Sequence, residues 1–177
     1  MTIWTSPEAD SMAGGDAVAF KQAMQRFPSG VVIATTCSRA GEPRGFTASS
    51  FTSVSMNPAL ILVCLSRSAE CHEDFSSADW FAINLLRPEH EALAVRFGTR
   101  GADKFTGDTF AAGPNELPVL GDALAQLICR KQGAHDCGDH TVLIGQVESI
   151  RFGREGEAMA RYQGRFAAVG AGVFDAA

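Results

Sequence analysis

Gly138-Asp139-His140 opens directly into the apolar, β-branched run Thr141-Val142-Leu143-Ile144, followed by Gly145-Gln146-Val147. Glycine permits a tight turn, Asp139 can close an Asx-type turn, and His140 then stands at the mouth of a strand. An imidazole there can hydrogen-bond a ligand lying across the strand end, or it can be a solvated loop residue. Far upstream, residues 47–55 (Thr-Ala-Ser-Ser-Phe-Thr-Ser-Val-Ser) place six hydroxyls in nine positions. Such a density suits a polar, phosphate-bearing ligand, and equally an edge strand whose hydroxyls bond water or backbone. Read as one strand, the segment sends Thr47, Ser49, Phe51, Ser53 and Ser55 to one face, with Ala48, Ser50, Thr52 and Val54 on the other. Ser66-Arg67-Ser68 closes the next apolar run. Arg67 can fork onto a phosphate with the two serines beside it, or stand as a solvated loop charge.

Other chemistry fits the chain less well. Cys129, His135, Cys137 and His140 fall within twelve residues, but their C-x5-H-x-C-x2-H order matches neither usual zinc spacing. No metal is expected, and Cys129 reads more simply as a buried small hydrophobe. The sequence holds no G-x-S-x-G elbow, H-E-x-x-H helix, P-loop or C-x-x-C pair. Tyr162, the lone tyrosine, precedes a Gln163-Gly164 turn and suits packing as well as ligand contact.

The elements that must position these residues are short. Asp16 can cap a helix in which Phe20, Met24 and Phe27 recur at i, i+4 and i+7, with Pro28 and Gly30 stopping it. Strands are expected at 31–36, 45–55, 60–65, 80–85, 124–130, 140–152, 159–162 and 165–169. Short helices are expected at 70–77 and 89–97, the second with Leu93 and Phe97 on one face, and 98–113 reads as a glycine-rich loop. Many strands with few helices predict a mainly β fold, a small barrel with peripheral helices. A Rossmann fold is excluded: no G-x-G-x-x-G lies between a strand and a helix, and the two element types do not alternate.

Bulk properties agree. A chain of 177 residues fits one domain, expected at 16–177 behind a flexible N-terminal tail at 1–15 without signal-peptide character. Net charge is −5 with no like-charge block, so neither DNA nor RNA is an expected partner. The longest apolar runs are too short to cross a bilayer. The odd count of five cysteines, mostly in apolar segments, fits reduced thiols in a cytoplasm.

In combination, these segments resemble the short-chain flavin reductases that feed two-component monooxygenases. Residues 20–36 (F-K-Q-A-M-Q-R-F-P-S-G-V-V-I-A-T-T) are similar to the opening helix and first strand of that family. Residues 45–58 resemble its G-x-T-A-x-x-F-x-S-V-S-x-x-P segment, and 80–85 its F-x-x-N-x-L strand. Arg96-Phe97-Gly98, Lys104-Phe105, Pro118 and the G-D-H-x-x-x-I-G-x-V at 138–147 complete the likeness. The resemblance implies an FMN-binding split β-barrel of Greek-key type, a homodimer with flavin near the subunit interface, and hydride transfer from NADH or NADPH to FMN or FAD. It implies that Thr47, Ala48, Ser49 and Ser50 contact the isoalloxazine and ribityl chain. Ser53, Ser66, Arg67 and Phe97 would surround the phosphate-bearing end, and His140 would face the nicotinamide as the catalytic residue. It further implies a flavin-dependent monooxygenase as partner. Two other roles stay open within the fold: a flavin-retaining electron carrier, and a reductase of cobalt corrinoids.

Overall fold

The computed structural model describes residues 17–170, so the expected 1–15 tail and the Asp16 cap lie outside the described residues. In chain order the elements are α1 (Ala17–Gln25), β1 (Ser29–Gly30), β2 (Val32–Cys37), β3 (Pro43–Ala48), β4 (Thr52–Met56), β5 (Ala59–Ser66), α2 (His72–Ser77), β6 (Trp80–Leu85) and α3 (Glu91–Gly98). They continue with β7 (Phe110–Ala112), β8 (Pro118–Leu120), β9 (Ala125–Cys137), β10 (His140–Phe152), β11 (Ala158–Tyr162) and β12 (Arg165–Val169).

Seven strands form one sheet in the order β3-β2-β6-β9-β10-β5-β4, all antiparallel pairs, which curls into a split barrel. The curl brings β3 against β5 although they are not ladder neighbours. Alternation from Val31 into β2 divides its side chains between two cores. Val32 and Ala34 join the barrel interior with Phe46, Val63, Phe81 and Leu143, while Val31 and Ile33 point the other way, into a second core under α3 with Leu93, Phe97 and Met159. No helix among the described residues is long and apolar enough to cross a membrane.

Two sequence expectations need correction. The single strand expected at 45–55 is two: β3 ends at Ala48, residues 49–51 leave the ladder, and β4 pairs at the opposite edge of the sheet. The side-chain alternation across that break therefore does not hold. The strand expected at 124–130 runs on to Cys137, because the largely polar stretch after Arg130 continues to pair along β10, past a bulge, up to the two-residue turn Gly138-Asp139. Gly138, at φ 63°, occupies the left-handed region that such a turn requires.

The thiols differ sharply. Cys129 is fully buried, and burial pushes its thiol up to about 12, whereas Cys137 is exposed at the hairpin end. Iodoacetamide at neutral pH is therefore expected to label Cys137 in the native protein and Cys129 only after unfolding, since the thiolate is the reactive form. Peptide mass spectrometry reads the order; equal labelling rates would contradict the burial.

Candidate active site

The break between β3 and β4 builds the site. As the chain leaves β3, the Thr47 hydroxyl donates to the Ala94 carbonyl of α3 at 2.7 Å, tying the strand end to the helix. Ser50 then docks on the free edge of β5: its Oγ donates to Cys64 O at 3.2 Å and accepts from Cys64 N–H at 3.1 Å. One hydroxyl thus satisfies the two backbone groups that the β4 ladder, which starts at Thr52, does not reach.

Between these anchors lies a cleft of about 430 Å³, within the range of small-molecule sites. Thr47, Ala48, Ser49, Ser50, Ser66, Phe97 and His140, seven of the sequence-derived site residues, line it together. Phe97 is buried under the cleft, edge-on to Phe105 with ring centroids 5.0 Å apart. Its position depends on Gly45, where a Cβ would stand 2.8 Å from the Phe97 ring. Ser53 and Arg67 do not line the cleft. Ser53 sits on exposed β4 opposite Ile61, and Arg67 holds the hairpin turn through its backbone, N–H to Asp139 O at 2.9 Å, with its side chain exposed.

The structure adds residues that the sequence reading did not place at the site. Thr99, Arg100 and Lys104 all line the cleft, together with Ser68, which the sequence sets beside Arg67. Ser66 and Ser68 share a hydrogen bond at 3.0 Å. Lys104 donates to the Gly45 carbonyl at 3.2 Å, which carries its ammonium from the loop after α3 to the start of the cleft floor. Arg100 is mostly exposed and lies 3.9 Å from Glu70. The cleft therefore carries two cations, Arg100 and Lys104, with the Glu70 carboxylate and the Ser66 and Ser68 hydroxyls also in its lining. Cations and hydroxyls together are the chemistry a phosphate requires.

His140 stands beside Ser66, its cross-strand partner in the β5–β10 ladder. Its Nδ1 lies 2.7 Å from Asp139 Oδ1, and that hydrogen bond, with the nearby imidazole charge, holds the Asp139 carboxyl below the usual carboxylate range. The pairing is lost only as pH falls through that lowered range, so it persists at neutral pH. Ser49 and His140 also border a second cavity of about 690 Å³, walled by Phe20, Met24 and Phe27 of the α1 region and by Arg161 of β11. Two cavities thus meet at one serine and one histidine, so two ligands could lie in contact there. Among the described residues no three His, Cys, Asp or Glu side chains converge as a metal site.

The sequence model of the family described as flavin reductase like domain matches residues 24–170. The chain is 42% identical over 149 residues to the actinorhodin polyketide dimerase of Streptomyces coelicolor, covering 84% of each. It is 34% identical over 136 residues to the stachydrine N-demethylase reductase subunit of Rhizobium meliloti, covering 77% of this chain but 59% of that longer protein. The fold superimposes with TM-score 0.86 on the NADH:FAD oxidoreductase of Streptomyces globisporus C-1027 in complex with NAD and FAD fragments, at 30% identity, covering 94% of this chain and 100% of that one.

Proposed function

The chain belongs to the flavin reductase like domain family, and we propose on that footing that its cleft binds FMN or FAD, reduces it with NADH, and releases it to a partner monooxygenase. The observation that carries the reading is the meeting of two cavities at Ser49 and His140, one of them also lined by Ser66, Ser68, Arg100 and Lys104. When bound, the flavin supplies the chemistry, taking a hydride from the reduced nicotinamide. The protein's own residues bind and orient. Thr47 and Ser50, each fixed by backbone hydrogen bonds, hold the cleft open beside Ser49. Lys104, Arg100 and the paired serines would hold the phosphate-bearing end. His140 would hold the nicotinamide: the Asp139 carboxylate engages Nδ1, which leaves Nε2 to hydrogen-bond the carboxamide. Positioning of this kind needs no side-chain nucleophile.

A homodimer completes the proposal. Phe20, Met24 and Phe27 are 68%, 51% and 64% exposed on this chain, an apolar stripe that a second copy would cover. A monomer by light scattering at micromolar concentration would remove that part. A cytoplasmic location belongs to the same proposal and rests on the free thiols alone.

The decisive assay is nicotinamide oxidation by purified protein, NADH and NADPH each against riboflavin, FMN and FAD. Flavin-dependent turnover with NADH supports the reading, and its absence in folded protein would sink it. Dialysis separates the flavin-retaining carrier, which stays yellow, from a reductase whose flavin diffuses away. His140→Ala is expected to lower kcat/KM for NADH about 3- to 15-fold, the worth of one neutral hydrogen bond at a half-exposed residue. Flavin affinity should move by less than about threefold. Unchanged stopped-flow reduction would remove the residue from the nicotinamide site.

A further inference from the structure

A third cavity, of about 520 Å³, opens beside the cleft and shares Glu70 and Lys104 with it. Two planar groups line it. The Arg44 guanidinium is pinned by Asp74 Oδ2 at 3.1 Å, Glu42 Oε2 at 2.5 Å and Pro43 O at 3.3 Å, so all three of its nitrogens are engaged along the edge. A guanidinium held this way still offers its flat face for stacking. Phe105 lines the same cavity and is itself fixed by ring contacts with Phe97 and Phe110. The remaining polar groups there are mostly carboxylates: Glu42, Glu70 and Asp103. Carboxylates repel a further phosphate but accept hydrogen bonds from an amino group or sugar hydroxyls.

Resting on the proposed function, the geometry points to FAD as the preferred flavin, its adenosine half lying in this third cavity. The flavin ring and ribityl chain would occupy the cleft, the diphosphate would cross at Lys104, and the purine would lie against Arg44 and Phe105. FMN would leave the third cavity empty. Stacking of one base on such surfaces corresponds to about 5- to 150-fold in affinity.

Titration of the apoprotein with FAD, FMN and riboflavin, by calorimetry or flavin fluorescence, tests this without turnover. The wild type should bind FAD at least about fivefold more tightly than FMN. Arg44→Ala removes one stacking face, and Ala102→Trp fills the cavity from its loop wall. Each should bring FAD affinity down toward that of FMN while FMN and riboflavin stay within about threefold. ADP should weaken FAD binding and leave riboflavin binding intact. Equal wild-type affinities for FAD and FMN, or a FAD preference intact in both variants, would overturn the assignment. The two readings fail differently: FMN and FAD bound alike with full turnover refutes the adenosine site alone, whereas no flavin binding at all refutes the reductase as well.

Discussion

Asn84→Leu is expected to destabilise the fold by about 2–6 kcal/mol, the sum for two buried polar groups left without partners. Asn84 lies on β6 with no exposed surface. Its Oδ1 accepts from Leu120 N–H at 2.8 Å, and its Nδ2 donates to Ile33 O at 3.1 Å. One amide therefore joins three elements: β6, β2 and the short strand β8. Leucine has the same branching and number of side-chain heavy atoms but neither donor nor acceptor, so both backbone groups would lose the amide as partner in a dry core. Neighbouring bonds, Thr35 Oγ1 to Pro118 O and Gln126 Nε2 to Leu120 O, also hold β8, the first of them linked to Asn84 through its Nδ2 contact with Thr35 Oγ1 at 3.5 Å. For a domain of this size the change corresponds to a fall in Tm of about 5–20 °C. Thermal and urea denaturation followed by circular dichroism would read it. A shift below about 1 kcal/mol would mean that the amide is replaceable.

Much of this architecture is legible in the sequence, for identifiable reasons. The run at 31–36 is β-branched at every position but Ala34 and carries no charge, as suits a strand buried on both faces. The Gly138-Asp139 pair marks a tight turn and sets His140 at a strand entrance, while the residues before it do not announce that β9 runs on to that turn. The break at 49–51 is not legible, because alternation of side chains says nothing about which strand is the ladder partner. Only the sheet order, with β3 and β4 at opposite edges, shows that the chain must cross there. The α1 helix is legible from its apolar period, but the period does not reveal that this stripe stays uncovered by the chain's own core. Arg100 and Lys104 are hidden for a related reason. They stand in a glycine-rich loop, and only the packing of α3 against β3 carries them to the cleft. The available signal was a pair of cations shortly after a helix whose partner strand carries the hydroxyls.

That last difference can be measured, because the sequence and the structure nominate different cations for the same phosphate. By residue type and spacing, Arg67 between two serines is the obvious candidate. In the fold its backbone N–H bonds Asp139 O and its side chain is exposed outside the cleft, while Lys104 reaches the floor through Gly45 O. A charge-assisted contact to phosphate contributes about 1.5–3 kcal/mol, so Lys104→Ala should weaken FMN and FAD binding about 10- to 150-fold. Riboflavin, which has no phosphate, should change by less than about threefold. Arg67→Ala should leave all three flavins within about threefold, since a solvated charge outside the cleft acts only through screened, longer-range attraction. Equilibrium titration of the three flavins against both variants separates the candidates. A selective loss of FMN and FAD in Arg67→Ala, with Lys104→Ala silent, would return the phosphate to the residue that spacing alone selects. It would also show that a second subunit, or a movement of the loop after β5, brings Arg67 over a cleft that this chain leaves open.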